Sequence, residues 1–130
     1  MKIDSAFLAD TATIREGTLG VLGGLLNQFG RPSYPATLGC VLVIVLSGDL
    51  SETRGVVETT VHVAYVRAGE EVKAFEAEIA LKAEIVGERF TYLPLILDLV
   101  NAEIPSAGDY VLHVEVGDQT KVLRFYADQT

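Results

Sequence analysis

From Tyr110 onward the chain sorts its residues with a period of two, and that pattern limits its possible folds more than any other feature. Tyr110, Leu112, Val114 and Val116 fall on one face of an extended chain, and Val111, His113 and Glu115 fall on the other. After Gly117-Asp118-Gln119-Thr120 a second run follows, Lys121 to Ala127. Folding the two runs about Asp118-Gln119 sets Leu112 opposite Phe125 and Val114 opposite Leu123 on one face. His113 then meets Arg124, and Glu115 meets Val122, on the other. A single register that places both strands' apolar residues on the same side predicts a hairpin with one buried face.

A second hairpin meets the same test. Val57 to Val66 and Val72 to Ile85 flank a turn centred on Gly69. That centre pairs Val63 with Phe75, Val61 with Ala77 and Thr59 with Ile79. It places His62 beside Glu76, and Thr60 beside Glu78, on the outer face. Leu38 to Ser47 is apolar on both faces, which predicts a central strand covered on both sides. Thr91 to Val100 alternates around Pro94, which cannot donate to a ladder and so predicts a sheet edge or a break. Lys2 to Leu8 reads as a short first strand. Leu19 to Phe29 has leucines near helical spacing, but Gly20, Gly23 and Gly24 would cost a helix about 1 kcal/mol each. A strand bent or bulged at Gly23-Gly24 is the better reading. Asp10 to Glu16 leaves room for one helical turn, in which Asp10 would serve as N-cap and Gly17 as stop.

The sum is an all-β chain: an antiparallel β-sandwich of seven or eight strands in a single domain over residues 1–130, with at most one short helical turn near residues 10–16. Glycines and prolines punctuate the chain at short intervals, as sandwiches require, and no internal repeat is present. A chain of this length buries roughly two-thirds of its unfolded surface and needs no cross-link to fold. Cys40 is the only cysteine, so no internal disulfide framework or multi-cysteine zinc site exists.

Two stretches carry a family resemblance. One is Leu8-Ala9-Asp10 with Gly17, Leu19 and Val21-Leu22-Gly23-Gly24. The other is Pro105, Gly108 and Tyr110 ahead of the final hairpin. Together they resemble a family of short bacterial single-domain proteins of unknown function. The resemblance implies an all-β fold and no particular chemistry.

Charge and hydropathy narrow the function. The net charge of −8 would be repelled by a phosphate backbone, so no nucleic-acid partner is expected. The densest apolar run, Leu38 to Leu46, is far shorter than the roughly 20 residues of a spanning helix, so no membrane role is expected. The N-terminus has no positively charged segment leading into an apolar core, and with one free thiol this suggests a cytoplasmic protein.

Candidate chemistry is sparse. His62 and Glu76 could act as an acid–base pair, but no nucleophile accompanies them, and a surface pair is the plainer reading. His113 facing Arg124 would put two cations together, which is no metal site. Calcium could use Asp49 and Glu52 in the Ser47–Arg54 loop with Asp109 or Asp118 at the sandwich ends. Gly20-x-x-Gly23-Gly24 lacks the features of a phosphate loop, and no Gly-x-Ser-x-Gly elbow occurs. Cys40 reads as core, and Tyr110 as a corner anchor bonding upstream backbone.

The expectation is therefore a protein with no catalytic residues and no cofactor, which binds protein and forms a homo-oligomer, with a dimer favoured. Its apolar fraction of 49% leaves apolar residues on outer faces, and Tyr92, Ile96, Val111, Val122 and Tyr126 are the candidate interface. The alternative is a small-molecule or carbohydrate binding module, with or without calcium, using loops at one end of the sandwich.

Overall fold

A computed structural model describes residues 2–16, 18–49, 55–67, 73–85 and 90–130. It contains β1 (Lys2–Arg15), β2 (Thr18–Leu26), β3 (Gln28–Arg31), β4 (Ala36–Thr37), β5 (Val41–Asp49), β6 (Gly55–Arg67), β7 (Lys73–Ile85), β8 (Phe90–Asp98), β9 (Glu103–Ile104), β10 (Gly108–Val116) and β11 (Gln119–Gln129). One sheet has the order β2-β1-β5-β8 and the other β3-β11-β10-β6-β7, with β4 and β9 pairing separately. All pairings are antiparallel except β11 with β3. The fold is thus the all-β sandwich the sequence predicts. Its strands exceed eight because Asn27 splits one segment into β2 and β3, and because β4 and β9 are too short to show a period.

The core lies between the sheets. Leu8, Leu42, Ile44, Leu46 and Leu97 from the first sheet meet Val63, Tyr65, Leu112, Val114 and Phe125 from the second. At its centre are four aromatic rings. Tyr110 stacks on Phe125 at 5.1 Å between centroids, and Phe29 and Tyr65 meet Phe125 edge-on. The two buried tyrosines satisfy their hydroxyls locally. Tyr65 donates to the Glu103 carbonyl at 2.9 Å and Tyr110 to the Ser106 carbonyl at 2.8 Å. The Tyr110 bond is the corner anchor expected from the sequence.

The predicted faces hold, while the predicted pairs shift by two residues. Tyr110, Leu112, Val114 and Val116 are all buried. Leu112 faces Leu123 rather than Phe125, and His113 faces Val122 rather than Arg124. The turn is a two-residue loop, with Val116 paired to Gln119 and Gly117 at φ +60. A glycine at the first loop position matches the twist of the flanking strands, so the ladder closes one pair earlier than a turn centred on Asp118-Gln119 allows. The second hairpin also moves by two: Val63 faces Ala77 and His62 faces Glu78. Its predicted centre, Gly69, lies outside the described residues. An even shift leaves every side chain on its face, which is why periodicity found the faces without finding the pairs.

The one helical turn allowed near residues 10–16 does not form. β1 runs unbroken to Arg15, and the chain reverses through Glu16 at φ +51, so that Arg15 pairs with Thr18. The proposed stop, Gly17, lies outside the described residues. Thr11, Thr13 and Ile14 are β-branched and lose side-chain freedom in a helix, and their pairing with β2 decides the matter. The bulge expected at Gly23-Gly24 falls one residue later: Leu8 pairs with Leu26 but Ala9 with Gly24, leaving Leu25 as the extra residue. There the chain leaves the first sheet and enters the second as β3.

Pro94 sits on β8, an edge strand, where a missing donor disrupts no second ladder. β5 lies inside its sheet and is covered on both faces, as its sequence implies. Leu42, Ile44 and Leu46 enter the main core. On the other side Val41 and Val43 join Ala9 in a second cluster, against which Phe7, Ala12, Leu19, Val21, Val45 and Ile96 pack. The β1–β2 ribbon supplies part of that cover.

Candidate functional site

Among the described residues, the β1–β2 ribbon leaves a sheet edge with neither charge nor proline. Residues Asp10 to Arg15 of β1 lie beyond the end of β5 and pair only with β2. Ala12, Leu19 and Val21 turn toward the second cluster. The outer edge of β2 has no strand beside it among the described residues. From Thr18 to Gly30 the chain carries no charged residue and no proline. Leu22 is 69% exposed and Leu25 is 79% exposed.

Free edges normally carry a device that prevents further pairing, such as charge, proline or brevity. β8 has Pro94, β7 shows exposed Glu76 and Glu78, and β3 is four residues long and ends in Arg31. On β2 only the bulge at Leu25 interrupts the edge, and Thr18 to Leu22 keeps a regular ladder with Thr11 to Arg15.

Leu25 is unusual in a second way. Its φ is +61, the left-handed region that disfavours a residue with a side chain by roughly 1–2 kcal/mol. Its neighbour Gly23 has φ +62, and a Cβ there would strike the Asp10 carboxylate. Asp10 and Gly23-Gly24 are therefore packed together across the ribbon, with Ala9 opposite Gly24. This joins the two halves of the motif that carries the family resemblance, and gives it a structural reason. Beside Leu25 lies a small groove of about 160 Å³, lined among others by Phe7, Leu26, Leu123 and Arg124. A wider open groove of about 420 Å³ adjoins it through Asn27 and Arg124, and adds Asp109 and Tyr126.

The five residues singled out from the sequence do not form one surface. Tyr92 and Ile96 belong to the outer side of the first sheet, and Val111, Val122 and Tyr126 to the outer side of the second, across the core. Ile96 packs against the second cluster and Val111 is half-buried. Tyr92, Val122 and Tyr126 remain exposed. Sequence reading missed Leu22 and Leu25, although the charge-free run Thr18–Gly30 was a visible signal.

His62 sits on the outer face of the second sheet. Its Nε2 lies 2.5 Å from Glu76 Oε1, and its Nδ1 lies 3.6 Å from Glu115 Oε2. The predicted His62–Glu76 neighbours do meet, diagonally across the ladder rather than directly opposite. Cys40 is fully buried just ahead of β5, and burial pushes its thiol up to about 11, so almost no thiolate exists at neutral pH. Of the calcium candidates, Asp109 lies at the start of β10 and Asp118 just past its far end, roughly 30 Å apart along an extended strand. Asp49 ends β5 and Glu52 lies outside the described residues. Among the described residues no group of three or more His, Cys, Asp or Glu is placed to hold a metal ion, and no helix is long and apolar enough to cross a membrane.

These features define an all-β sandwich whose distinctive surface is an uncharged sheet edge. Residues 4–125 match the family of unknown function DUF6941, and the chain belongs to that family. No curated protein and no solved structure matches it.

Proposed function

We propose that this chain is a non-catalytic bacterial protein that works in the cytoplasm by binding protein, and that its contact surface is the open edge of β2. The observation that carries this reading is the pairing of an unprotected edge with two highly exposed leucines, one of them held at positive φ. An exposed apolar residue on a strained backbone is unfavourable to the isolated chain on both counts, and such positions cluster where function requires them. An added strand would satisfy the free backbone groups of β2 and cover Leu22. The buried free thiol of Cys40 accords with a reducing compartment.

A photo-crosslinking amino acid at Leu22, compared with the same probe at Tyr92 and Val122, tests this in cells. Adducts concentrated at Leu22 are the expected result, and equal yields at all three positions would refute it.

The small-molecule reading has one observation in its favour, the 420 Å³ groove that brings Arg124, Asp109, Asn27 and Tyr126 together. A melting-temperature screen with calcium, EDTA and a glycan panel separates it from the first: a ligand that occupies the groove raises the melting temperature, and an Arg124→Ala variant loses that shift.

A further inference from the structure

The partner of β2 can be specified further, and this step rests on the reading above that the β2 edge is a contact surface. We propose that the partner is a second copy of the same chain, joined by antiparallel pairing of Thr18–Leu22 with Thr18–Leu22 of the other copy about a two-fold axis. The two four-stranded sheets then become one continuous eight-stranded sheet in the order β8-β5-β1-β2-β2-β1-β5-β8.

The argument is electrostatic and geometric. Each chain carries a net charge of −8, so two copies repel over most of their surfaces. An approach through β7 would bring the exposed Glu76 and Glu78 of both copies together. Approach through β8 meets Pro94, which withholds a donor from the shared ladder. β3 offers only four residues. β2 offers a regular stretch with neither a charge of either sign nor a proline, so like charges are not forced into contact there and no donor is withheld. A foreign partner would be drawn to an acidic protein by complementary charge, and this edge provides none. An edge paired with itself needs no such complement, because a two-fold axis sets each residue against an uncharged one: with the axis near Gly20, Leu22 lies opposite Thr18 of the second copy. Leu22 is thereby partly covered in both copies at once.

The test uses the full chain. Sedimentation equilibrium of the wild type is expected to give a dimer that dissociates on dilution. Leu22→Lys places a charge on the shared ladder at a side chain that is already solvent-exposed, so the fold is retained. It should raise the dissociation constant by about tenfold or more, whereas Val122→Lys on the far sheet should not. Hydrogen exchange provides the second readout: amides of Thr18–Leu22 slow as the wild type is concentrated, and those of Leu22→Lys do not. A wild type that stays monomeric at about 100 μM overturns the self-pairing. So does a dimer broken by Val122→Lys and not by Leu22→Lys. If the chain is monomeric yet the Leu22 crosslinker captures a different protein, self-pairing fails and the contact-surface reading stands. If the chain is monomeric and Leu22 captures nothing beyond the control positions, both fail.

Discussion

The first and last hairpins of this protein are both long ribbons joined across two residues, and they differ in what their faces touch. β10–β11 lies inside its sheet, with Tyr110, Leu112, Val114 and Phe125 in the main core and an outer face that mixes His113, Glu115 and Arg124 with Val122 and Tyr126. β1–β2 has its outer half at a sheet edge. It packs Ala12, Leu19 and Val21 on a small secondary cluster, and it leaves Leu22 and Leu25 in water. The last hairpin is built to hold the molecule together. The first is held on by fewer contacts and keeps apolar material in reserve at its rim. The main core and the exposed leucines of the uncharged edge thus lie toward opposite ends of the chain.

Truncations sharpen the contrast most. Leu112→Ala in the last hairpin should cost about 3 kcal/mol, read as a fall in the denaturant midpoint for the whole molecule, because a fully buried leucine leaves a cavity. Val21→Ala in the first hairpin should cost about 1 kcal/mol or less, since the side chain is only half-buried, with faster amide exchange confined to the ribbon. Equal global losses from the two would erase the distinction.

Tyr110→Phe removes one hydroxyl bond to the Ser106 carbonyl and should cost about 1 kcal/mol in the same measurement. Leu25→Gly goes the other way. Relief of the left-handed leucine outweighs the added freedom of a glycine in the unfolded chain, so stability should rise by about 0.5 kcal/mol while crosslinking from β2 falls. A loss of stability there would mean that Leu25 serves the fold and not a partner.

The smallest effect concerns pH. Cys40 holds its proton in the folded state up to about 11 because burial disfavours the thiolate, against an ordinary value of 9.0. A raised folded value means that the contribution is complete below about 9 and fades as pH rises from there through about 11. Tyr65, also raised by burial, acts in the same direction above 10.0. Denaturation midpoints followed from pH 8 upward should decline, and Cys40→Ala should flatten the early part of that decline. An identical slope in both proteins would show that the thiol contributes nothing.

The two hairpins also differ in how well the sequence describes them. In β10–β11 one face is apolar at every second position, so the period alone assigns the buried side, and the even register shift does no harm to that assignment. Asp10 to Glu16 offers no such contrast. Its threonines and alanine suit several local structures, and an aspartate ahead of them resembles a cap, so the local signal points to a turn that pairing with β2 overrides. The candidate interface residues divide between the two sheets for a related reason. Alternation separates inner residues from outer ones within one strand, but it does not say which sheet a strand joins, so Tyr92 and Val122 were grouped although the core lies between them.

What the sequence determined by itself is the all-β class, the buried faces of the main hairpins, the doubly covered central strand and the inert character of Cys40. These follow from composition and from a period of two that any extended chain must obey. Tertiary structure alone decided the registers, the crossing of the chain from one sheet to the other at Leu25–Asn27, and the fact that β2 stands at an edge. Those depend on which strands meet across long separations in sequence, and an edge is defined by a neighbour that is missing, which no local pattern of residues can encode.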